Sequence, residues 1–363
     1  MSTPTETRPA SADTEPPRDR TRLVRGSLPR WAPWATLGGS ALLAAVPTAV
    51  ATGFSLIFFA FCLALCYVVG IFLWSRSVEG ARKAADRAFT AVVTSAFALA
   101  LTPLVSVVIT VVSKGVQRFD TEFFTYSMRG VVGAGGGAYH AIVGTLVTSG
   151  LATLMSVPIG LCTAIYLVEY GRGRLARGIT FFVDVMTGIP SIVAGLFAYA
   201  LFTLVFGPGT VNGFSGAIAL SVLMIPIVVR SSEEMIKIVP DDLREAAFAL
   251  GTPKWKVILR VVLPTAVAGI STGVTLAVAR VVGETAPLLI AAGTTASTNF
   301  NPFSGQMATL SVFSYYEYAS PGVPPEPYLE RAWTAALTLM AIVMVLNLVA
   351  RSFSLLFAPK TRS

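Results

Sequence analysis

The sequence predicts an all-α membrane protein, a polytopic bundle of about eight transmembrane helices, on three observations. Of the 363 residues, 54% are hydrophobic and 13% charged, against about 45 to 50% and about 25% in ordinary soluble domains. The apolar residues gather into blocks near the roughly 20 residues that a helix needs to cross the hydrocarbon core: residues 34–52, 54–74, 88–113, 140–168, 179–206, 214–235, 265–291 and 333–357. Alternation of apolar and polar residues is absent, which argues against a β-barrel.

The elements follow in order. Residues 1–33 form a polar tail rich in Pro, Thr and Arg, a composition that stays disordered and lacks the short apolar core of a cleavable signal. Residues 34–74 form a hairpin of two spans, parted only at residues 51–53, and residues 75–87 form a charged linker. Six further spans occupy 88–358, and 359–363 is a short tail. The net charge of +8 suggests a nucleic-acid partner by size alone, but its distribution says otherwise. Of 27 Lys and Arg, 22 fall in the N-terminal tail, the second, fourth and sixth connections and the C-terminus. Lys114, Arg118, Arg129 and Arg331 lie on the opposite side, and Arg280 alone lies inside a span. Because basic residues accumulate in cytoplasmic loops, both termini are expected in the cytoplasm of a multi-pass plasma-membrane protein, with lipid rather than nucleic acid as its surroundings. Cys62, Cys66 and Cys162 all fall in spans and read as small hydrophobes.

Several chemistries have no residues to carry them. No lysine of the six is preceded by glycine, so the G-x-x-x-x-G-K-[ST] loop that cradles nucleotide phosphates is missing. The single histidine, His140, has no H-E-x-x-H around it, and no G-x-S-x-G occurs. No metal site is expected. The cluster Gly133, Gly135, Gly136, Gly137 follows no strand and reads as a flexible lead into the fourth span.

Residues 239–264, VPDDLREAAFALGTPKWKVILRVVLP, are the most informative stretch. They read as two short helices. Asp241 or Asp242 caps the first, whose Leu243, Ala246, Ala247 and Leu250 share one apolar face. Gly251 supplies the left-handed stop, and Thr252 caps a second helix with Pro253 at its first position. Glu245-Ala246-Ala247, three residues, Gly251, nine residues, then Val261, Val262, Leu263 and Pro264 resembles the EAA loop of ABC importer permeases, E-A-A-x3-G-x9-I-x-L-P, with Val261 standing for Ile. In that family the loop docks on a cytoplasmic ATPase. The resemblance implies that Glu245 and Gly251 shape the loop while Ala246, Ala247 and Leu250 touch the partner.

Charges inside spans cost roughly 2.5 to 3.5 kcal/mol each on insertion scales and are functional hypotheses by default. Arg280 lies deep in the seventh span with Glu284 four residues on, spacing that places both on one helical face. The pair reads either as a self-neutralising bridge or as an oxyanion site, because a guanidinium presents paired planar donors and stays protonated. Arg230, near the inner end of the sixth span, is either a second pathway residue or a snorkelling interfacial one. Asp184 and Glu169 read as interfacial.

MIPIVVRSSEEMIKIVP (224–240) and ARVVGETAPLL (279–289) resemble PstA-type phosphate permeases, and the G-E-T-A-P-L-L string is similar to that subunit rather than to its partner PstC. The resemblance spans about residues 88–358 and implies a six-helix type I importer core, with the 34–74 hairpin as an addition of no assigned role. It also implies a phosphate pathway through Arg280, Glu284 and Arg230 and a transport subunit without catalytic residues. It implies no cofactor on this chain, since ATP and magnesium would bind a dimeric partner ATPase. The other partners it implies are a PstC-like permease and an extracytoplasmic phosphate-binding protein. The outer stretch 294–331, with Tyr315, Tyr316, Tyr318, Tyr328, Glu317, Glu326 and Glu330, fits either docking of that protein or an interfacial aromatic belt. A permease for sulfate, molybdate or phosphonate, and a non-transporting sensor or scaffold, are the alternatives.

Overall fold

A computed structural model describes residues 26–51 and 56–357; most of the N-terminal tail and all of the C-terminal tail lie outside them. Among the described residues the chain is helical throughout, with no strand. It divides into two compact units, Met1–Val108 and Ile109–Ser363.

In the first unit, α1 (Ala32–Ala51) packs against α2 (Leu56–Val78) and is followed by the start of α3 (Ala81–Gly115). Trp31 meets Trp74 edge to face at 5.9 Å. Buried Glu79, in the two-residue link between α2 and α3, ties the unit together. It accepts the Leu28 amide at 2.7 Å, the Ser75 hydroxyl at 2.8 Å and the Arg87 guanidinium at 2.6 and 2.9 Å. Four charge-assisted or dipolar donors on one carboxylate hold its pKa down to about 2, the Arg87 hydrogen bond being the largest cause against the opposing effect of burial.

The second unit is organised around α8 (Gly213–Lys237), started by the Asn212 side chain, which accepts the Ser215 amide at 2.8 Å. Before it come α4 (Thr121–Thr125), α5 (Tyr139–Ile165), α6 (Gly173–Thr187) and α7 (Ser191–Phe206). After it come α9 (Asp241–Ala249), α10 (Lys254–Val257), α11 (Leu263–Val282), α12 (Ala286–Ala291), α13 (Leu310–Ala319) and α14 (Glu326–Phe357). α5, α11, α7 and α12 pack around α8, burying Leu220, Met224 and Val228 against Ala152, Ala277, Val281 and Leu288. In lipid, helix association rests on close packing more than on the hydrophobic effect, so small residues mark the contacts. A Cβ at Gly160 of α5 would lie 2.7 Å from Val228, and one at Gly195 of α7 would lie 2.7 Å from the Pro287 backbone.

Six described helices are long and apolar enough to cross a membrane: Phe58–Val78, Ala81–Arg118, Tyr139–Tyr170, Gly213–Lys237, Lys254–Val282 and Glu326–Val349. They match six of the eight expected blocks, and α1 carries another up to the undescribed residues 52–55. Two blocks need correction. The expected span 179–206 is two helices, α6 and α7, bent by 110° at Gly188, Ile189 and Pro190; proline disfavours helical geometry in the residue before it and donates no N–H. The block 265–291 breaks after Val282, with Gly283 ending α11 and Pro287 in the first turn of α12.

Candidate functional site: the coupling loop and the intramembrane charges

The coupling loop is two helices, as expected, with corrected starts. Pro240 precedes α9 and Pro253 precedes α10, neither helix start has a side-chain cap, and Asp241 and Asp242 fall inside the first turn instead. Acidic residues there complement the helix dipole without capping. Gly251 is left-handed at φ 72°. Ala247 packs inward on the cluster of Ala164, Ile236, Val257 and Val262, whereas Glu245, Ala246 and Leu243 are exposed and Leu250 is 86% exposed at the tip. Leu243, Phe248 and Leu250 thus leave apolar side chains on the exposed side of the loop.

The loop is braced by Arg244 and by Glu169, the latter expected at the interface. Arg244 of α9 donates to Glu169 at 3.1 Å, to the Ile236 carbonyl at 2.9 Å, to the Val239 carbonyl at 2.5 Å and to Asp241 at 2.9 Å. Glu169 is nearly buried rather than interfacial, and Lys254 donates to its carbonyl while lying over the Tyr170 ring. Glu169 belongs to the π-helical segment Tyr166–Tyr170 that ends α5, and a second π segment, Ile258–Val262, joins α10 to α11. Such turns are tolerated at functional hinges.

Arg230 is fully engaged. It donates to Asp184 of α6 and, at 2.8 Å, to Glu233, which also receives Lys237 at 2.7 Å. Asp184 is thus a partner of Arg230 across two helices. Arg280 differs: it is exposed on a face of α11 shared with Thr272 and Leu276, and it forms no ion pair or hydrogen bond among the described residues. The bridge to Glu284, one of the two readings of the pair, is not formed: α11 ends at Val282 and Glu284 leaves the helical register. The Glu284 carbonyl accepts the Ser311 hydroxyl at 2.7 Å. A cavity of about 560 Å3 adjoins this break, lined by Thr285, Leu289, Ser311, Tyr315 and Trp333 but by neither Arg280 nor Glu284.

At the other end of the helices the glycine cluster is held rather than loose. Buried Arg331 donates to the Gly133 and Gly135 carbonyls at 2.7 and 3.1 Å and to Glu317 at 2.7 Å. Arg118 donates to the Gly136 carbonyl at 2.8 Å. Gly133, Gly135 and Gly136 all have positive φ, which explains the glycines without a phosphate. Glu317 is therefore committed within the chain, while Tyr315, Tyr316 and Tyr318 stay exposed. His140 is buried edge to face on Phe313 at 5.3 Å.

Residues 156–363 match the family described as the binding-protein-dependent transport system inner membrane component. The chain is 48% identical over 261 residues to the phosphate transport system permease protein PstA 1 of Mycobacterium tuberculosis, covering 70% of this chain and 84% of the relative. The chain belongs to the PstA family of binding-protein-dependent permeases. The Mycobacterium leprae PstA permease is 45% identical, covering 77% of this chain and 92% of its own length, and that of Yersinia pestis is 38% identical, covering 71% and 84%. A bacterial alginate ABC transporter chain, solved in complex with its alginate-bound periplasmic protein, superposes with a TM-score of 0.55 at 15% identity, covering 74% of this chain and 94% of that one; this shows the shared permease fold. The chain is thus a multi-pass membrane transport subunit, of a family that works with an ATPase and a substrate-binding protein.

Proposed function

We propose that this chain is one of two permease subunits of an ATP-driven inorganic phosphate importer, with Arg280 as the pathway cation. The observation that carries it is the guanidinium of Arg280, in the last turn of a spanning helix and without an ion pair or hydrogen bond among the described residues, in a chain close in sequence to phosphate permeases. An unpaired intramembrane charge is costly, and a planar fork of donors is suited to a tetrahedral oxyanion. A PstC-like permease meets the uncovered face of α11, so that the two subunits enclose one path. Arg230, held by Asp184 and Glu233, sets the field at the inner end of that path. Glu284, beyond the helix break, accepts a hydrogen bond from a protonated phosphate oxygen, which sulfate lacks.

Both termini lie in the cytoplasm on this reading. The chain binds no cofactor and hydrolyses nothing; ATP and magnesium bind a dimeric ATPase whose groove takes the exposed Ala246 and Leu250. Closure of that dimer pushes α9, and Arg244 passes the push to Glu169 at the foot of α5. The π segments on both sides absorb the change in backbone geometry while α5 and α11 tilt as rods. An extracytoplasmic phosphate-binding protein delivers the anion near the exposed tyrosines of α13. Arg280 neutralises the anion without a second donor cation, so binding stays weak enough for release.

Radiolabelled phosphate uptake in cells lacking their own importer tests this, comparing wild type with Arg280→Gln at matched membrane abundance and with sulfate and molybdate as competitors. Loss of uptake in an assembled complex supports the reading. Full uptake by the variant removes Arg280 from the pathway, and competition by sulfate or molybdate reassigns the anion. Absence of uptake in an assembled wild-type complex points to a sensor or scaffold.

A further inference from the structure

α2 and α3 are joined through Glu79 and Gly80 and then diverge, leaving a wedge between α3 and the α1–α2 hairpin. Two cavities fill it, one of about 420 Å3 and one of about 580 Å3, and they run into each other at Pro33, Tyr67 and Thr94, which line both. The first is walled by Trp34, Leu37, Leu63, Ala98 and Leu99 and ends at Thr102. The second is polar, opens toward the α2–α3 link and is lined by Glu79, Lys83, Asp86 and Arg87. From Arg87 to Thr102 the wedge runs about 22 Å along α3 at 1.5 Å per residue, more than the roughly 15 Å of one hydrocarbon leaflet.

Around the α2–α3 link cations outnumber carboxylates once internal pairs are removed. Glu79 and Arg87 consume each other. Lys83 and Asp86 are the other charged residues of the lining; beside it Arg30 and Arg82 make no ion pair among the described residues and Arg76 lies over the Phe72 ring, so four cations stand against Asp86, the one exposed carboxylate among the described residues of this unit. A slot longer than one leaflet, apolar at one end and lined by charged side chains at the other, with unpaired cations beside that end, has the polarity of an amphiphile with an anionic head. We propose that this wedge is a binding site for an anionic phospholipid, its phosphate among Lys83, Arg82 and Arg30 and an acyl chain along Leu37, Leu63 and Ala98. Basic pockets between spans recognise lipid head groups by this same combination. The site lies entirely within the first unit and does not depend on which anion the permease carries.

The test uses the complete transporter complex reconstituted in nanodiscs of mixed phosphatidylglycerol and phosphatidylcholine, followed by native mass spectrometry of the lipids retained after mild detergent exchange. Phosphatidylglycerol is expected to be retained in preference, with a roughly five-fold loss of that preference for each charge removed in Lys83→Gln and Arg82→Gln. Ala98→Phe, which fills the apolar half, is expected to displace both lipids without changing complex assembly. Quenching of Trp34 fluorescence by brominated phosphatidylglycerol, stronger than by the brominated choline lipid, reads the same site independently. Equal retention of the two lipids, or a preference untouched by the charge variants, overturns the proposal. So does a covalent photocrosslink to a partner subunit from a benzophenone side chain placed at Ala64, which would show protein filling the wedge.

Discussion

Arg230 and Arg280 are both arginines in membrane-spanning helices, and they are held in opposite ways. Arg230 spends its guanidinium on Asp184 and Glu233, with Lys237 sharing the second carboxylate. Arg280 spends its own on nothing among the described residues, and the helix break at Gly283 takes Glu284 off the helical face of Arg280. A cation already matched by carboxylates on two helices fixes α6 against α8 and has little left for a passing anion. An unmatched one keeps its full attraction. On the proposed reading, the contrast separates a charge that builds the permease from one that is available to work in it.

The sharpest way to break that contrast is Arg280→Gln. Loss of a charged hydrogen-bonding partner is worth about 1.5 to 3 kcal/mol, so phosphate uptake should fall roughly 10- to 100-fold with the complex intact. Arg280→Lys should be intermediate, since an ammonium keeps the charge but not the paired planar donors. Next in size is the brace on the coupling loop. Arg244→Gln leaves nearly buried Glu169 unpaired and frees two carbonyls at the end of α8 and start of the loop. Transport per ATP hydrolysed in reconstituted vesicles should drop roughly 10-fold while ATP hydrolysis continues. A double-mutant cycle with Glu169→Gln should return a coupling of about 0.5 to 3 kcal/mol, and simple additivity would show that the two residues do not act as one strut.

Much of this architecture is legible in the sequence because lipid imposes a simple code. Six blocks of about 20 apolar residues became helices, and the coupling loop was readable since Gly251 is needed at a positive φ and small Ala246 and Ala247 follow the helical period. Legibility fails where one residue overrides a composition average. Pro190 splits an apolar block that hydropathy reads as continuous, and Gly283 with Pro287 ends a helix that the i, i+4 spacing of Arg280 and Glu284 takes for granted. The pairings of Arg230 with Asp184 and Arg244 with Glu169 join residues 46 and 75 positions apart, and no local pattern encodes such contacts. The glycine cluster likewise looked loose because its clamp, Arg331, lies almost 200 residues away. The available signal was charge economy: a carboxylate at the end of a span needs a cation.

Arg230→Gln sharpens the comparison from the other side. Asp184 is more than half exposed, and Glu233 keeps Lys237, so the variant strands no buried charge. Exposed pairs are worth about 0.2 to 1 kcal/mol, and uptake should therefore change by less than roughly five-fold. Pairing it with Asp184→Asn should add almost nothing. If Arg230→Gln silences uptake as fully as Arg280→Gln does, in a complex of equal abundance, the division between structural and working arginine collapses.

The smallest effect concerns a third kind of charge, one neither on the path nor at the coupling loop. Glu79 titrates near 2 in the folded chain instead of the usual 4.5, so its charged form is favoured by folding. Its contribution is then fully present above about pH 4.5 and is lost progressively as the pH falls toward 2. Acid should loosen the link between Leu28, α2 and α3 while the second unit, which does not use Glu79, keeps its packing. Trp31 and Trp74, in contact at 5.9 Å, report on that corner by fluorescence. Glu79→Gln should lower the starting signal of ordered tryptophan and flatten the transition between pH 4.5 and 2. An equal transition in the variant would assign the acid sensitivity to other carboxylates and leave Glu79 as a passive hydrogen-bond acceptor.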